Sequence, residues 1–127
     1  MVILKLLYVE DAPALRELVE FSLALDPDIE LRTAASGAEG LRQLENESAD
    51  AVLLDVMMPD MDRPAVHAAM RSDPDLKAIP AMFLTARALP EEVVRLMALG
   101  ATGVVTKPFD PTTLARDIRF MLGRAHG

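Results

Sequence analysis

Short apolar runs alternate with longer segments of mixed polarity along the whole chain. The runs are Ile3–Val9, Ile29–Ala34, Ala51–Leu54, Ala81–Leu84 and Gly103–Val105. They are too short for helices. Several are unbroken by polar residues, as strands buried on both faces should be. A helix-like segment follows each run. The first begins near Ala12–Pro13, with proline suited to an early helical position, and carries Leu15, Leu18, Val19 and Leu23 at helical spacing. The second opens at Ser36 with Glu39 three residues on, a capping-box signature. Leu41 and Leu44 lie inside it. The third runs from Pro64 to Arg71 and stops before Asp73–Pro74. The fourth runs from Pro90 to Gly100, with Val93, Leu96 and Met97 inside. The fifth follows Asp110–Pro111, read as N-cap and first helical residue, and its apolar face is Leu114, Ile118, Met121 and Leu122.

Strands separated by crossover helices imply a parallel sheet covered on both faces. In such open sheets ligands bind beyond the carboxyl ends of the strands, so the residues just after each run matter most. Glu10 and Asp11 follow the first run, Asp55 the third, Thr85 the fourth and Lys107 the fifth. If those four strands lie side by side, the polar groups converge on one edge. Clustered carboxylates make a hard oxygen site for Mg²⁺. A carboxylate can accept a phosphoryl group as an acyl phosphate. That chemistry needs positioning and charge neutralisation, which Mg²⁺, the Lys107 ammonium and the Thr85 hydroxyl would supply.

Each residue also has an ordinary structural use. Glu10 and Asp11 could cap the first helix. Asp55 could be a loop acid, Thr85 a strand end and Lys107 a surface lysine. The signal is their joint placement, one set per strand end.

Composition narrows the options. With 127 residues, the chain is expected to form one domain spanning 1–127. It has no cysteine, which excludes disulfides, thiolate metal sites and thiol nucleophiles and suits the cytoplasm. A net charge of −7 argues against direct nucleic-acid binding, which relies on neutralising phosphates with Lys and Arg. Met1–Val9 is short, is broken by Lys5 and lacks the flanks of a signal peptide. No apolar run approaches the roughly 20 residues of a membrane span. His67 reads as a solvated helix histidine and His126 as part of the tail. Asp60-Met61-Asp62 superficially matches a phosphatase motif but follows a proline in a loop.

The strings Leu7-Tyr8-Val9-Glu10-Asp11, Leu53-Leu54-Asp55-Val56-Met57-Met58-Pro59, Phe83-Leu84-Thr85-Ala86 and Thr106-Lys107-Pro108-Phe109 resemble the receiver domains of bacterial response regulators. Ala35-Ser36-Gly37-Ala38-Glu39-Gly40-Leu41 and Leu99-Gly100-Ala101 carry the resemblance across nearly the whole chain. It implies a doubly wound, flavodoxin-like (βα)5 fold with a five-stranded parallel sheet in order 2-1-3-4-5. It implies that Asp55 takes a phosphoryl group from a histidine kinase or histidine phosphotransfer protein. By the same comparison Asp11, Asp55 and the Met57 backbone carbonyl would ligate Mg²⁺, with Glu10 acting through a water. Lys107 would contact the phosphoryl group, the Lys107–Pro108 bond would be cis, and Thr85 would supply its hydroxyl. Such a domain catalyses only its own phosphorylation and dephosphorylation, and it signals by binding a downstream protein. It would be a monomer, or a dimer on activation.

Two residues depart from the family pattern. Val104 stands where an aromatic switch residue is usual, after Gly103 where an acid is frequent. Valine has no ring to bury or expose, so the readout is expected to be muted or to use another element. Arg63 stands where the loop usually has glycine, and it would be strained if that backbone needed a positive φ. Met57 and Arg87 sit two residues after Asp55 and Thr85 and should flank the phosphoryl group. Apolar Met57 would shield it from water, so slow self-dephosphorylation is expected. The lifetime of the adduct in Met57→Asn and Arg87→Ala checks this, and lifetimes equal to the parent's would sink it.

Two other classes compete. A constitutive receiver-fold interaction module would bind its partner without phosphorylation. A small-molecule-binding flavodoxin-like domain would need a first loop rich in Ser, Thr and Gly, where this chain has Glu10-Asp11-Ala12-Pro13. If 127 residues are the whole protein, output must pass through another protein. The reading face would be the fourth helix, fifth strand and fifth helix, with Arg95, Val104, Arg116, Arg119 and Phe120 exposed.

Overall fold

The computed structural model describes residues 3–55, 63–85, 89–98, 100–106 and 110–126. Its elements are β1 (Leu4–Val9), α1 (Pro13–Ala24), β2 (Ile29–Ala34), α2 (Gly37–Asn46), β3 (Ala51–Asp55), α3 (Arg63–Ser72), β4 (Ala81–Thr85), α4 (Pro90–Ala98), β5 (Gly103–Thr106) and α5 (Leu114–His126). The strands form one parallel sheet in the order β2-β1-β3-β4-β5. This is the expected fold. The order reverses between β1 and β3, which places a crevice at the carboxyl ends of those two strands.

Strand alternation divides the core into two layers. Leu7, Val9, Val52, Leu54 and Phe83 pack with Leu44, Met70 and Leu96, under α2, α3 and α4. Leu6, Tyr8, Leu53, Met82 and Leu84 pack with Val19, Leu23, Leu114 and Ile118, under α1 and α5. Every residue of β3 and β4 is buried, which explains their unbroken apolar character.

Local signals hold at most junctions. The Ser36 side chain accepts from the Glu39 N–H at 3.1 Å, and Glu39 Oε2 accepts from the Ala35 N–H at 2.9 Å. A reciprocal cap of this kind satisfies two N–H groups that the helix cannot. Gly100 has φ of 99° in the turn after α4, a conformation that costs a Cβ-bearing residue energy. Arg63 opens α3 with helical backbone, and no described residue other than glycine has positive φ. Arg63 therefore carries no positive-φ strain.

Other expectations need correcting. α5 begins at Leu114 and not at Pro111. Asp110 caps a turn instead: its Oδ1 accepts from the Thr112 N–H at 2.9 Å and the Thr112 hydroxyl at 2.7 Å. Its short side chain satisfies its own backbone two residues on, which competes with helix at that point. Leu18 and Met97 sit at apolar helical spacing but are exposed. Arg119 is tied to the corner before β2, its Nε donating to Asp26 Oδ2 at 2.8 Å.

Candidate functional site

Glu10 lies one residue past β1 yet continues its pairing, with its N–H donating to the Ala34 carbonyl at 2.9 Å. Alternation places its side chain on the same face as Tyr8. The Tyr8 ring is buried, and its hydroxyl donates to Glu10 Oε1 at 2.9 Å. The Ala12 N–H donates to Glu10 Oε2 at 3.2 Å. Arg16 reaches back from α1 and donates through Nη1 to the Glu10 carbonyl at 2.8 Å and the Asp11 carbonyl at 3.2 Å. The loop is therefore held from β1, β2 and α1 together. The capping use of this acidic pair is realised only through the Ala12 N–H. The N-cap of α1 is Ala12, which has no side-chain cap.

Asp55 ends β3, opposite Leu84 of β4. It is 1% exposed, as is Glu10. The two carboxyl groups lie within interaction range of each other. Burial, and then the contact with Asp55, push the Glu10 carboxyl up to about 8, against the opposing hydrogen bonds from Ala12 and Tyr8. Burial beside the Glu10 carboxylate drives the Tyr8 phenol far above its ordinary range. Thr85 ends β4 opposite Thr106 and is 2% exposed. The sheet thus brings Glu10, Asp55 and Thr85 to one edge, and the half-exposed Asp11 follows Glu10 directly.

Two carboxyls in contact away from water repel when both ionise. A divalent cation among them reverses that sign. The donors are all hard oxygens, which fits Mg²⁺. Among the described residues, no three acidic, histidine or cysteine side chains form a ready metal cage. Met57, Arg87 and Lys107, with the Lys107–Pro108 bond, lie outside the described residues, as do Asp60-Met61-Asp62 and the side chains of Arg63, His67 and His126.

The family model for the response regulator receiver domain matches residues 6–119. The chain belongs to the receiver family of response regulators. Response regulator Rre1 of Synechocystis sp. is 31% identical over 121 residues, covering 95% of this chain and 52% of that protein. Transcriptional regulatory protein CseB of Streptomyces coelicolor is 35% identical over 118 residues, covering 93% of this chain and 49% of that protein. The solved structure of chemotaxis response regulator CheY4 of Vibrio cholerae matches with a TM-score of 0.85 at 33% identity, covering 94% of this chain and 99% of that chain. The chain spans about half the length of these curated relatives.

On this receiver the expected reading face is only partly exposed. Arg95, Arg116 and Phe120 are on the surface, Phe120 at 65% exposure. Val104 is half-buried against the layer that contains Leu96. Gly103 is crossed by Met121: a Cβ added there would meet the Met121 Cγ at 2.9 Å and the sulfur closer still. The space beside Gly103 is filled from α5. Among the described residues, no helix is long and apolar enough to cross a membrane.

Proposed function

We propose that this receiver domain, part of two-component signalling, is a phosphoacceptor switch in which Asp55 takes the phosphoryl group. The observation that carries the reading is the buried contact between the Glu10 and Asp55 carboxyls at the topological switch point. A buried acid pair is costly unless a cation or a proton offsets it. Stability alone gives no reason to keep one there, but phosphoryl transfer does.

An Asp55 oxygen forms the new O–P bond as the donor's P–N or P–O bond breaks. The donor is a histidine kinase or histidine phosphotransfer protein. Asp11, Asp55 and the Met57 carbonyl would hold Mg²⁺, with Glu10 acting through a water, and the ion would supply positive charge beside the phosphoryl oxygens. The Thr85 hydroxyl and the Lys107 ammonium hydrogen-bond those oxygens, and Met57 and Arg87 flank them and set the lifetime of the adduct. Phosphorylation adds about −1.5 to −2 charge. To move the domain from mostly off to mostly on, it must favour one state by roughly 5.5 kcal/mol. Output passes by protein contact through α4, β5 and α5, with Val104 at the switch position, in a monomer or a dimer formed on activation. The net charge of −7 argues against direct nucleic-acid binding by these residues, and the cytoplasm is the compartment that fits.

Acetyl phosphate or phosphoramidate with Mg²⁺ is expected to add the mass of one phosphoryl group to the intact protein. Chelating the metal should remove that gain. A chain that binds Mg²⁺ yet gains no mass would overturn the reading and favour a constitutive interaction module.

A further inference from the structure

The chain has a single tyrosine and no tryptophan, and that tyrosine points its hydroxyl at the acid pair. Tyr8 sits two residues before Glu10 on the same face of β1, with its ring buried in the layer that contains Leu53, Leu84 and Val19. A buried phenol needs a hydrogen-bond partner, and Glu10 Oε1 is the one it has at 2.9 Å. Glu10 Oε2 is held separately by the Ala12 N–H. Each carboxylate oxygen therefore accepts one fixed donor, and the group cannot rotate without breaking both bonds. A free glutamate side chain must give up rotamer freedom on being ordered. Here that ordering is built into the fold.

We infer that Tyr8 is a positioning residue that sets the orientation of the Glu10 carboxylate for Mg²⁺ through the Tyr8 hydroxyl–Glu10 Oε1 hydrogen bond. The inference rests on the phosphoacceptor reading of the site, since it takes Glu10 as part of the metal-binding set. Tyr8 touches neither metal nor phosphoryl group in this role. Phenylalanine keeps the ring and the packing but leaves Glu10 with one fixed oxygen. Losing an outer partner of a metal-binding group weakens affinity about 10–100-fold, and the lower end fits a carboxylate that keeps its second donor.

The same bond gives an optical signal. A phenol hydrogen-bonded to a carboxylate emits weakly, and with one tyrosine and no tryptophan all such emission comes from this site. Mg²⁺ alone is titrated into the intact chain, with tyrosine emission and calorimetry read in parallel. The parent is expected to show an emission change whose midpoint matches the calorimetric Kd. Tyr8→Phe is expected to bind Mg²⁺ roughly tenfold more weakly by calorimetry, with thermal unfolding showing that it is folded. In a Glu10→Gln background, Tyr8→Phe should add little further loss, because its effect runs through Glu10.

Tyr8→Phe binding Mg²⁺ as tightly as the parent would overturn the inference, as would a parent that binds no Mg²⁺. An equal loss in the Glu10→Gln background would overturn it too, by assigning the effect to packing. Unfolded Tyr8→Phe leaves the decision to the parent's emission: a Mg²⁺ titration without any emission change sinks the proposal, and a change at the calorimetric midpoint supports it. A parent that binds Mg²⁺ but gains no phosphoryl mass ends the phosphoacceptor reading alone, because these measurements need no phosphodonor.

Discussion

Asp55→Asn is expected to reduce phosphoryl uptake by at least about a thousandfold, to the background of the assay, while the chain stays folded. Asparagine matches aspartate in size, and its amide can still hydrogen-bond the Glu10 carboxyl that Asp55 meets in the parent. It has no carboxylate oxygen to form the acyl phosphate. Neighbouring acids are poor substitutes. Glu10 is held by Tyr8 and the Ala12 N–H, so attack would require it to break bonds that fix it in the fold. Thr85→Ala provides the graded contrast. It removes a hydroxyl donor and leaves the nucleophile, so uptake should slow by about 10²–10³-fold, the usual cost of losing one donor to developing charge. Both are checked by intact mass against time at fixed phosphodonor and Mg²⁺. Asparagine that still takes one phosphoryl group at the parent's rate would move the acceptor to another residue and refute the assignment of Asp55.

Most of this arrangement can be read from the sequence, because in a sheet covered on both faces burial and pattern coincide. The apolar runs mark the strands to within one residue. β3, β4 and β5 each extend one residue further, to Asp55, Thr85 and Thr106. An apolar pattern stops where side chains become polar, but the ladder of hydrogen bonds does not. In β3 and β4 it runs on to Asp55 and Thr85, the residues proposed to carry the chemistry. The start of α5 departs from the pattern for a related reason. Asp-Pro reads as cap and first turn, yet Asp110 satisfies its own backbone locally and delays the helix to Leu114. Contacts between distant segments leave no pattern to find. Nothing in the spacing ties Arg119 to Asp26, or Met121 to Gly103. The Tyr8–Glu10 bond has a signal, since strand period places those residues on one face. That signal is masked because Tyr8 sits inside an apolar run, where its ring counts and its hydroxyl does not.

Phe83→Ala is expected to cost about 3–5 kcal/mol, more than truncating any smaller side chain in the same layer. The ring is fully buried in β4, between the strand ends and the α3 and α4 side of the core, with Leu54, Met70 and Leu96 in its layer. Burying an aromatic of this size removes roughly 150–250 Å² from water, and truncation adds the penalty of a cavity that rigid neighbours cannot close. Against a typical total of about 5–15 kcal/mol, the variant should lie close to its unfolding threshold. Phe83→Leu keeps most of the volume and should cost under about 1.5 kcal/mol. Phe120 supplies the internal control. It is the same residue type, 65% exposed on α5, and Phe120→Ala should shift stability by no more than about 0.5 kcal/mol. Urea unfolding of the three variants beside the parent, at unchanged m-value, measures the differences. If Phe83→Ala and Phe120→Ala lose the same amount, burial does not set the stability of this domain. A large loss confined to Phe83 would place the stabilising layer two residues behind Thr85, so that the hydroxyl rests on some of the most tightly packed backbone in the sheet.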